Sequence, residues 1–130
     1  MIAVDTNIVV RVITADGDRQ YALALKLFET ASIWLAVTVV LETEWVLRHA
    51  YKRRRDEIAE VLRDMLGLPN VTVEHADQVA QALDWHEAGM DFADAMHLAA
   101  AHHCETFATF DRALIAAAGR PNVNRPVREP

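Results

Sequence analysis

Short apolar runs alternate with segments of helical periodicity along this chain, and this alternation limits the possible folds more than any other feature. The runs lie at 1–4, 33–37, 71–73 and 106–109, with a further short one at 123. Most are continuously apolar rather than alternating, which is typical of strands in a parallel sheet. We therefore predict an α/β fold in which helices cover both faces of a parallel sheet.

Apolar residues between these runs recur at the spacing of helices. The predicted helices lie at 8–13, 20–31, 38–51, 56–66, 77–87, 91–103 and 112–118. We expect Thr6 or Asn7 to cap the first helix and Thr38 to cap the third. A loop at 16–18 separates the first two helices. The helix at 91–103 is apolar nearly all round, so we expect it to be buried.

The size and charge of the chain exclude several classes of protein. A length of 130 residues, of which 52% are hydrophobic, predicts a single domain spanning 1–130. The net charge of −6 means that binding to nucleic acid would need a local basic patch or a metal ion. A single cysteine, Cys104, excludes an internal disulfide, and no segment is apolar enough to span a bilayer. We expect a cytoplasmic protein with no membrane association.

Acidic residues follow the apolar runs at the positions where parallel sheets bind ligands, beyond the carboxyl ends of the strands. Asp5 directly follows the first run, and Asp111 closely follows the fourth. Asp91 and Asp94 begin the helix that precedes the fourth run. Each of these acids could instead be a turn residue, a helix cap or an acid that complements the helix dipole, and for Asp91 the cap is favoured.

Two glutamates in the third predicted helix differ in their expected surroundings. At about 100° per residue, Glu42 falls between Trp45 and Val46, so we interpret it as a carboxylate pressed against the core. Such a group is costly unless it has a partner, and a metal ion is a natural one. Glu44 lies one turn before Arg48, where the two can pair in solvent, so we interpret Glu44 as a surface residue.

Several carboxylates at one edge of a sheet would need a cation. Two carboxylates about 4 Å apart repel by roughly 4 kcal/mol at an effective dielectric constant near 20. Three or four together should not all stay ionised without a positive partner. Ligands that are all oxygen favour Mg²⁺ or Mn²⁺ over Zn²⁺. The sequence therefore predicts a divalent metal site.

Four segments resemble the PIN-domain family, and within it the VapC-type toxins of bacterial toxin–antitoxin pairs. The segments are VDTNIVVR, TVVLETEWVLR, GMDFADAMHLAAA and FATFDR, which follow the family's order over nearly the whole chain. The resemblance implies a three-layer α/β/α sandwich with a central, mainly parallel sheet of four to five strands. It also implies an endoribonuclease dependent on Mg²⁺ or Mn²⁺, a VapB-type antitoxin as partner, and a homodimer.

The resemblance also assigns roles to individual residues. Its catalytic and metal-binding acids fall on Asp5, Glu42, Asp94 and Asp111. We hypothesise that the first three hold the metal, directly or through water, and that the fourth completes the cluster. The ion would activate the water that attacks the RNA phosphodiester. Residues expected to orient the carboxylates by hydrogen bonds are Asn7, Thr109, Asp91 and Thr6.

One dense basic patch offers a contact for RNA. It consists of Arg48, Lys52, Arg53, Arg54 and Arg55. Cations at the end of a helix also suit the helix dipole, so a solvated helix end is the simpler interpretation. The alternative is contact with the RNA backbone, which would make binding depend on salt.

Three other functions fit parts of the pattern. A receiver-type phosphoacceptor domain also gathers acids around Mg²⁺, but it needs a late lysine, and none follows Lys52. A phosphatase of the haloacid-dehalogenase type needs a second aspartate two residues after the first, where this chain has Asn7. A non-catalytic PIN-fold module that binds RNA or protein is the third alternative, and the complete set of acids argues against it.

Overall fold

The computed structural model describes residues 1–15 and 17–130. Its strands are β1 Ile2–Ala3, β2 Ile33–Leu35, β3 Val71–Val73, β4 Phe107–Ala108 and β5 Val127–Arg128. Its helices are α1 Thr6–Thr14, α2 Arg19–Thr30, α3 Val37–His49, α4 Arg55–Leu66, α5 Ala76–Glu87, α6 Phe92–Ala100 and α7 Arg112–Ala118. Parallel strands joined through helices confirm the predicted α/β class. The predicted loop at 16–18 includes Asp16, which lies outside the described residues.

The chain divides into two compact units, Met1–Ala76 and Asp77–Pro130. The first unit holds a parallel sheet in the order β1-β2-β3, and the second holds the parallel pair β4-β5. The described strands thus form two sheets, where the sequence predicted one central sheet of four to five strands. Strands β1 and β4 have only two residues each, and each makes a single ladder, with β2 and with β5 respectively.

Two predictions about strands were wrong. The continuously apolar run at 1–4 is typical of a buried strand, yet Met1 and Ile2 are exposed and only Val4 is buried, because β1 is an edge strand and β2 takes the centre of the sheet. The last strand was placed at residue 123, but Val123 lies in a turn, where its N–H donates to the carbonyl of Arg120 at 3.0 Å. The last strand is β5, four residues later.

Helix α1 begins at Thr6 because the preceding aspartate caps it. The backbone of Asp5 is extended, and its Oδ1 accepts a hydrogen bond from the Thr6 N–H at 2.7 Å. The prediction that Thr6 or Asn7 would be the cap was therefore wrong by one or two residues. Val9 and Val10 are buried, and α1 packs against α2 and α3.

Helix α3 has no cap from the residue before it, and the predicted cap, Thr38, lies inside the helix. A residue from a distant part of the chain supplies the missing acceptor instead. Glu74, just after β3, accepts the N–H of Val37 at 3.0 Å through its Oε1. Because sequence spacing does not reveal such a long-range cap, the cap position was predicted at Thr38, two residues after Ala36, which precedes the helix.

In the second unit, an aspartate directly precedes each of the helices α6 and α7 and caps it. Asp91 Oδ2 accepts the Asp94 N–H at 3.1 Å, and Asp111 caps α7. The buried residues of α6 are Phe92, Ala95, Met96, Leu98 and Ala99, which confirms the prediction of a largely buried helix. No helix among the described residues combines the length and apolarity needed to cross a membrane.

Candidate metal centre

The two glutamates of α3 lie in the opposite surroundings from those that the sequence predicted. Glu44 is 1% exposed, whereas Glu42 is exposed to solvent. Arg48 binds both oxygens of the buried carboxylate, with Nε 2.8 Å from Oε2 and Nη2 3.2 Å from Oε1. The predicted pairing of Glu44 with Arg48 is thus confirmed, but the interpretation of Glu44 as a surface residue and of Glu42 as a core residue was wrong.

The reason lies in which face of α3 packs inward. The buried residues of α3 are Val40, Thr43, Glu44 and Leu47, which form one stripe at helical spacing. Glu42 lies on the opposite side of the helix, beside Trp45. Trp45 is exposed, and the centroid of its ring lies 4.5 Å from that of His49, at a tilted angle of 40°. Apolar neighbours on a helical wheel did not indicate burial here, because Trp45 itself faces solvent. An exposed Glu42 carboxylate can reach a metal ion or substrate without breaking the core.

Asp5 combines capping with a free coordination position. Its Oδ1 accepts the Thr6 N–H, while its Oδ2 accepts no hydrogen bond within the described part of the chain. The neighbouring Thr6 side chain is buried, and its hydroxyl oxygen has no hydrogen-bond partner among the described residues. A buried hydroxyl without a partner costs about 1–3 kcal/mol, so this position suits a bound water or a hydrated ion.

In the second unit, hydrogen bonds from N–H groups at the start of a helix likewise hold one oxygen of the Asp111 carboxylate. Its Oδ1 accepts the N–H groups of Ala113 at 2.9 Å and Leu114 at 3.2 Å. Its own N–H donates to the Thr109 hydroxyl at 3.0 Å, so Thr109 holds the backbone of Asp111. The second oxygen, Oδ2, accepts no hydrogen bond from the described residues and is available to a cation.

Asp94 lies among other acids that disfavour its charge. Burial raises the pKa of Asp94, and the nearby charges of Asp91 and Asp111 raise it further, while His97 opposes them. An acid in the first turn of a helix is normally favoured by the helix dipole. Burial, the largest cause, and repulsion from two aspartates thus both favour the neutral form of Asp94. A cation near Asp94 would remove the repulsion.

The candidate acids are divided between the two units. Asp5 and Glu42 belong to the first, and Asp91, Asp94 and Asp111 belong to the second. Among residues 1–15 and 17–130, no three histidine, cysteine, aspartate or glutamate side chains are arranged as a metal site. The three aspartates of the second unit thus interact through charge without forming a chelating group. Their oxygen donors fit a divalent ion such as Mg²⁺, which keeps several waters between itself and its ligands.

Comparison with protein families decides the family of this chain. A family model described as PIN domain matches residues 2–120. The chain belongs to the PIN-domain family. No curated protein matches this PIN domain. Among solved structures, it is similar to the crystal structure of Mycobacterium tuberculosis VapC20, which is described as a sarcin–ricin loop cleaving toxin. That similarity has 25% sequence identity and a TM-score of 0.45, and it covers 97% of this chain and 100% of the other.

Two arginines of the predicted basic patch form ion pairs with acidic side chains of the PIN domain. Arg48 pairs with Glu44, and Arg54 pairs with Asp56 at 3.1 Å. The hydrogen bond from Arg54 also holds the pKa of Asp56 below its usual range. Lys52 and Arg53 are exposed and form no ion pair within the described residues. These two are the better placed to contact a phosphate backbone, and that role stays a prediction.

One residue of the PIN domain, next to a candidate acid, was not identified from the sequence as a candidate functional residue. Phe110 lies between Thr109 and Asp111, and it is 80% exposed. The predicted strand ended at Thr109, and Phe110 was given no role. The available signal was its position between the strand and a capping aspartate, outside both β4 and α7.

Proposed function

We propose that this PIN domain is an endoribonuclease that hydrolyses RNA phosphodiester bonds with the help of Mg²⁺ or Mn²⁺. The support is membership of the family together with the complete set of acids on the four resembling segments. We further propose that it is the toxin of a toxin–antitoxin pair, with a VapB-type antitoxin as partner, and that it is a cytoplasmic homodimer.

The surroundings of Asp94 are the observation that supports this proposal most strongly. Its pKa is raised by burial and by two neighbouring aspartates, and its carboxylate accepts no hydrogen bond from the described residues. Two of these acids contribute stability as helix caps, but Asp94 has no such role, and its charge is repelled by theirs when no cation is present. The cluster is therefore best explained as a site for a cation.

We propose that Asp5, Glu42, Asp94 and Asp111 together hold the ion. When bound, a divalent cation polarises the scissile phosphate and lowers the pKa of water. The exposed side chain of Glu42 and the free Oδ2 atoms of Asp5 and Asp111 are the donors that remain accessible. Bringing the acids of the two units to one ion is part of the proposal.

Helix capping gives two of these carboxylates a fixed orientation. The hydrogen bond from Thr6 N–H fixes the rotamer of Asp5, and those from Ala113 and Leu114 fix that of Asp111. A carboxylate already held by one oxygen loses less conformational freedom when the other oxygen binds an ion. Capping and catalysis can therefore use the same two residues.

A non-catalytic PIN-fold module that binds RNA or protein is the second candidate. One observation favours it, namely that no three potential ligands form a metal site within the described residues. The two functions differ in one property: only the enzyme cleaves RNA, and it needs a divalent ion to do so.

A cleavage assay with metal-stripped protein separates the two candidates. We expect no RNA cleavage in chelator, cleavage on adding Mg²⁺ or Mn²⁺, and products that carry 5′-phosphate and 3′-hydroxyl ends. Asp94→Asn should abolish cleavage, whereas the matched control Asp64→Asn, at an exposed position of α4, should retain it. Cleavage in chelator, or products ending in 2′,3′-cyclic phosphate, would contradict the metal-dependent route.

The biological role needs its own experiment. Production of the wild-type chain in a bacterial host should slow growth, and Asp94→Asn should relieve that effect. The product of a small neighbouring reading frame should neutralise the toxicity and copurify with the chain. Equal growth inhibition by wild type and Asp94→Asn would contradict toxicity through RNA cleavage.

A further inference from the structure

The turn between β4 and α7 presents an aromatic ring to solvent. Phe110 is 80% exposed, although burial of a phenylalanine side chain stabilises a folded protein. A single exposed hydrophobic residue needs no explanation by itself. Phe110 differs from the other exposed hydrophobic residues because hydrogen bonds hold both of its neighbours, and because one of them, Asp111, is a candidate metal ligand.

Hydrogen bonds on both sides of Phe110 fix the backbone of the turn. The Thr109 N–H donates to the Arg128 carbonyl at 3.0 Å, and the Asp111 N–H donates to the Thr109 hydroxyl at 3.0 Å. The Asp111 carboxylate in turn caps α7. With the backbone held in this way, Phe110 remains 80% exposed. A rigid aromatic side chain of this kind loses little conformational entropy on binding.

Cationic side chains lie on the same turn and on the strand beside it. Arg112 follows Asp111 directly, is exposed, and forms no ion pair within the described part of the chain. Arg128 is exposed on β5, where it pairs in register with Ala108 of β4. Acids lie next to both arginines: Asp111 precedes Arg112, and Glu129 follows Arg128, whose Nη1 donates to the Glu129 carbonyl at 3.3 Å.

An exposed aromatic ring with cations beside it is the combination that binds single-stranded nucleic acid. Bases stack on the ring, while the cations contact the backbone, and each stacked base contributes about 1–3 kcal/mol. Paired bases are unavailable for such stacking because their faces are already covered within the duplex. We propose that Phe110 is a substrate-binding residue that stacks on an unpaired base of the RNA next to Asp111. This inference rests on the proposed function and adds to it a substrate-binding residue directly before Asp111.

The test measures binding of a fluorescent single-stranded RNA to metal-stripped protein, so that cleavage cannot interfere. Phe110→Ala should weaken binding by about 5- to 150-fold, the range that corresponds to one stacked base. Phe110→Trp should bind as well as wild type or better. Leu68→Ala, which truncates an exposed hydrophobic residue elsewhere, should leave binding unchanged. Duplex RNA of the same sequence should be insensitive to Phe110→Ala.

Cleavage kinetics with Mg²⁺ then distinguish failure of this inference from failure of the proposed function. If stacking positions the substrate, Phe110→Ala raises KM, and Phe110→Trp restores it. Wild-type cleavage together with unchanged binding and KM in Phe110→Ala would overturn the stacking role alone. A change only in oligomeric state or in antitoxin binding would likewise overturn it, because the ring would then belong to a protein interface. Absence of cleavage by the wild type would overturn the proposed function, whatever the binding data show.

Discussion

Arg48 binds both oxygens of the buried Glu44 carboxylate one turn before it on α3, while Glu42, two residues before Glu44, faces solvent. From the sequence, the buried carboxylate of this helix was predicted to be Glu42, with a metal ion as its partner. Arg48 satisfies the buried Glu44 carboxylate without any metal. The two glutamates of this helix can therefore be given separate roles, one in stability and one in the candidate metal centre.

Removing Arg48 should destabilise the protein. Arg48→Ala leaves the Glu44 carboxylate 1% exposed and without its cation. Breaking a fully buried pair costs about 3–5 kcal/mol, and because the Arg48 side chain is 39% exposed we expect about 2–3 kcal/mol. Urea unfolding measures the loss, and Arg53→Ala is the matched control. Equal midpoints for the two variants would contradict the importance of the pair.

Replacing Glu42 and Glu44 separately by glutamine should distinguish a role in activity from a role in stability. Glu42→Gln should abolish RNA cleavage while changing the free energy of unfolding by less than about 0.5 kcal/mol, as expected at an exposed position. Glu44→Gln should destabilise the protein but leave cleavage by the folded fraction intact. Both variants are compared by urea unfolding and by cleavage rate. A fully active Glu42→Gln would remove Glu42 from the metal centre.

Variants of Asp111 should separate capping from catalysis. Asparagine caps helices about as well as aspartate, so Asp111→Asn should keep its stability and lose cleavage. Asp111→Ala should also lose cleavage, and it should cost about 1 kcal/mol because the N–H groups of Ala113 and Leu114 lose their acceptor. Thermal unfolding and cleavage assays on both variants test this. An active Asp111→Asn would show that Asp111 only caps α7.

The raised pKa of Asp94 should make the stability of the metal-free protein depend on pH. The folded state binds this proton more tightly than the unfolded state, whose pKa is near the usual 3.8. Stability contributed by the protonated form is therefore lost as pH rises through the folded pKa. At neutral pH, Asp94→Asn should be more stable than wild type by about 0.5 kcal/mol, the scale of partly exposed charge interactions.

Unfolding of both proteins in chelator, at neutral and at mildly acidic pH, measures this effect. The advantage of Asp94→Asn should shrink as pH falls and the Asp94 carboxyl becomes protonated. Adding Mn²⁺ should stabilise wild type and not the variant, because only the wild-type folded state binds the ion. A wild type more stable than Asp94→Asn in chelator at neutral pH would contradict a strained acid cluster.

The sequence predicted the class of fold because the pattern of strands and helices is local. Short apolar runs and helical spacing gave the positions of most elements, and Asp91 and Asp111 were correctly considered as caps. The division into two sheets was not predictable in this way, since it depends on which short strands pair. The cap that Glu74 provides to α3 was missed for the same reason, because 37 residues separate the two partners.

The candidate site shows a different limit of sequence reasoning. The motifs selected the acids, but helical periodicity assigned the buried position to Glu42 because Trp45 and Val46 were assumed to face inward. Burial of a face depends on the neighbouring elements, and α1 and α4 pack on the face that contains Glu44 and Leu47. Phe110 was missed because its exposure depends on hydrogen bonds that fix a turn.

Binding of Mn²⁺ to the metal-stripped protein tests the central proposal most directly, since it needs neither the right RNA nor an active assay. Isothermal titration should show saturable binding to wild type and to the surface control Asp64→Asn. Binding should be lost or strongly weakened in Asp94→Asn and Asp111→Asn. Equal affinity in wild type and both of these variants, or no binding to wild type, would contradict a metal centre built from these acids.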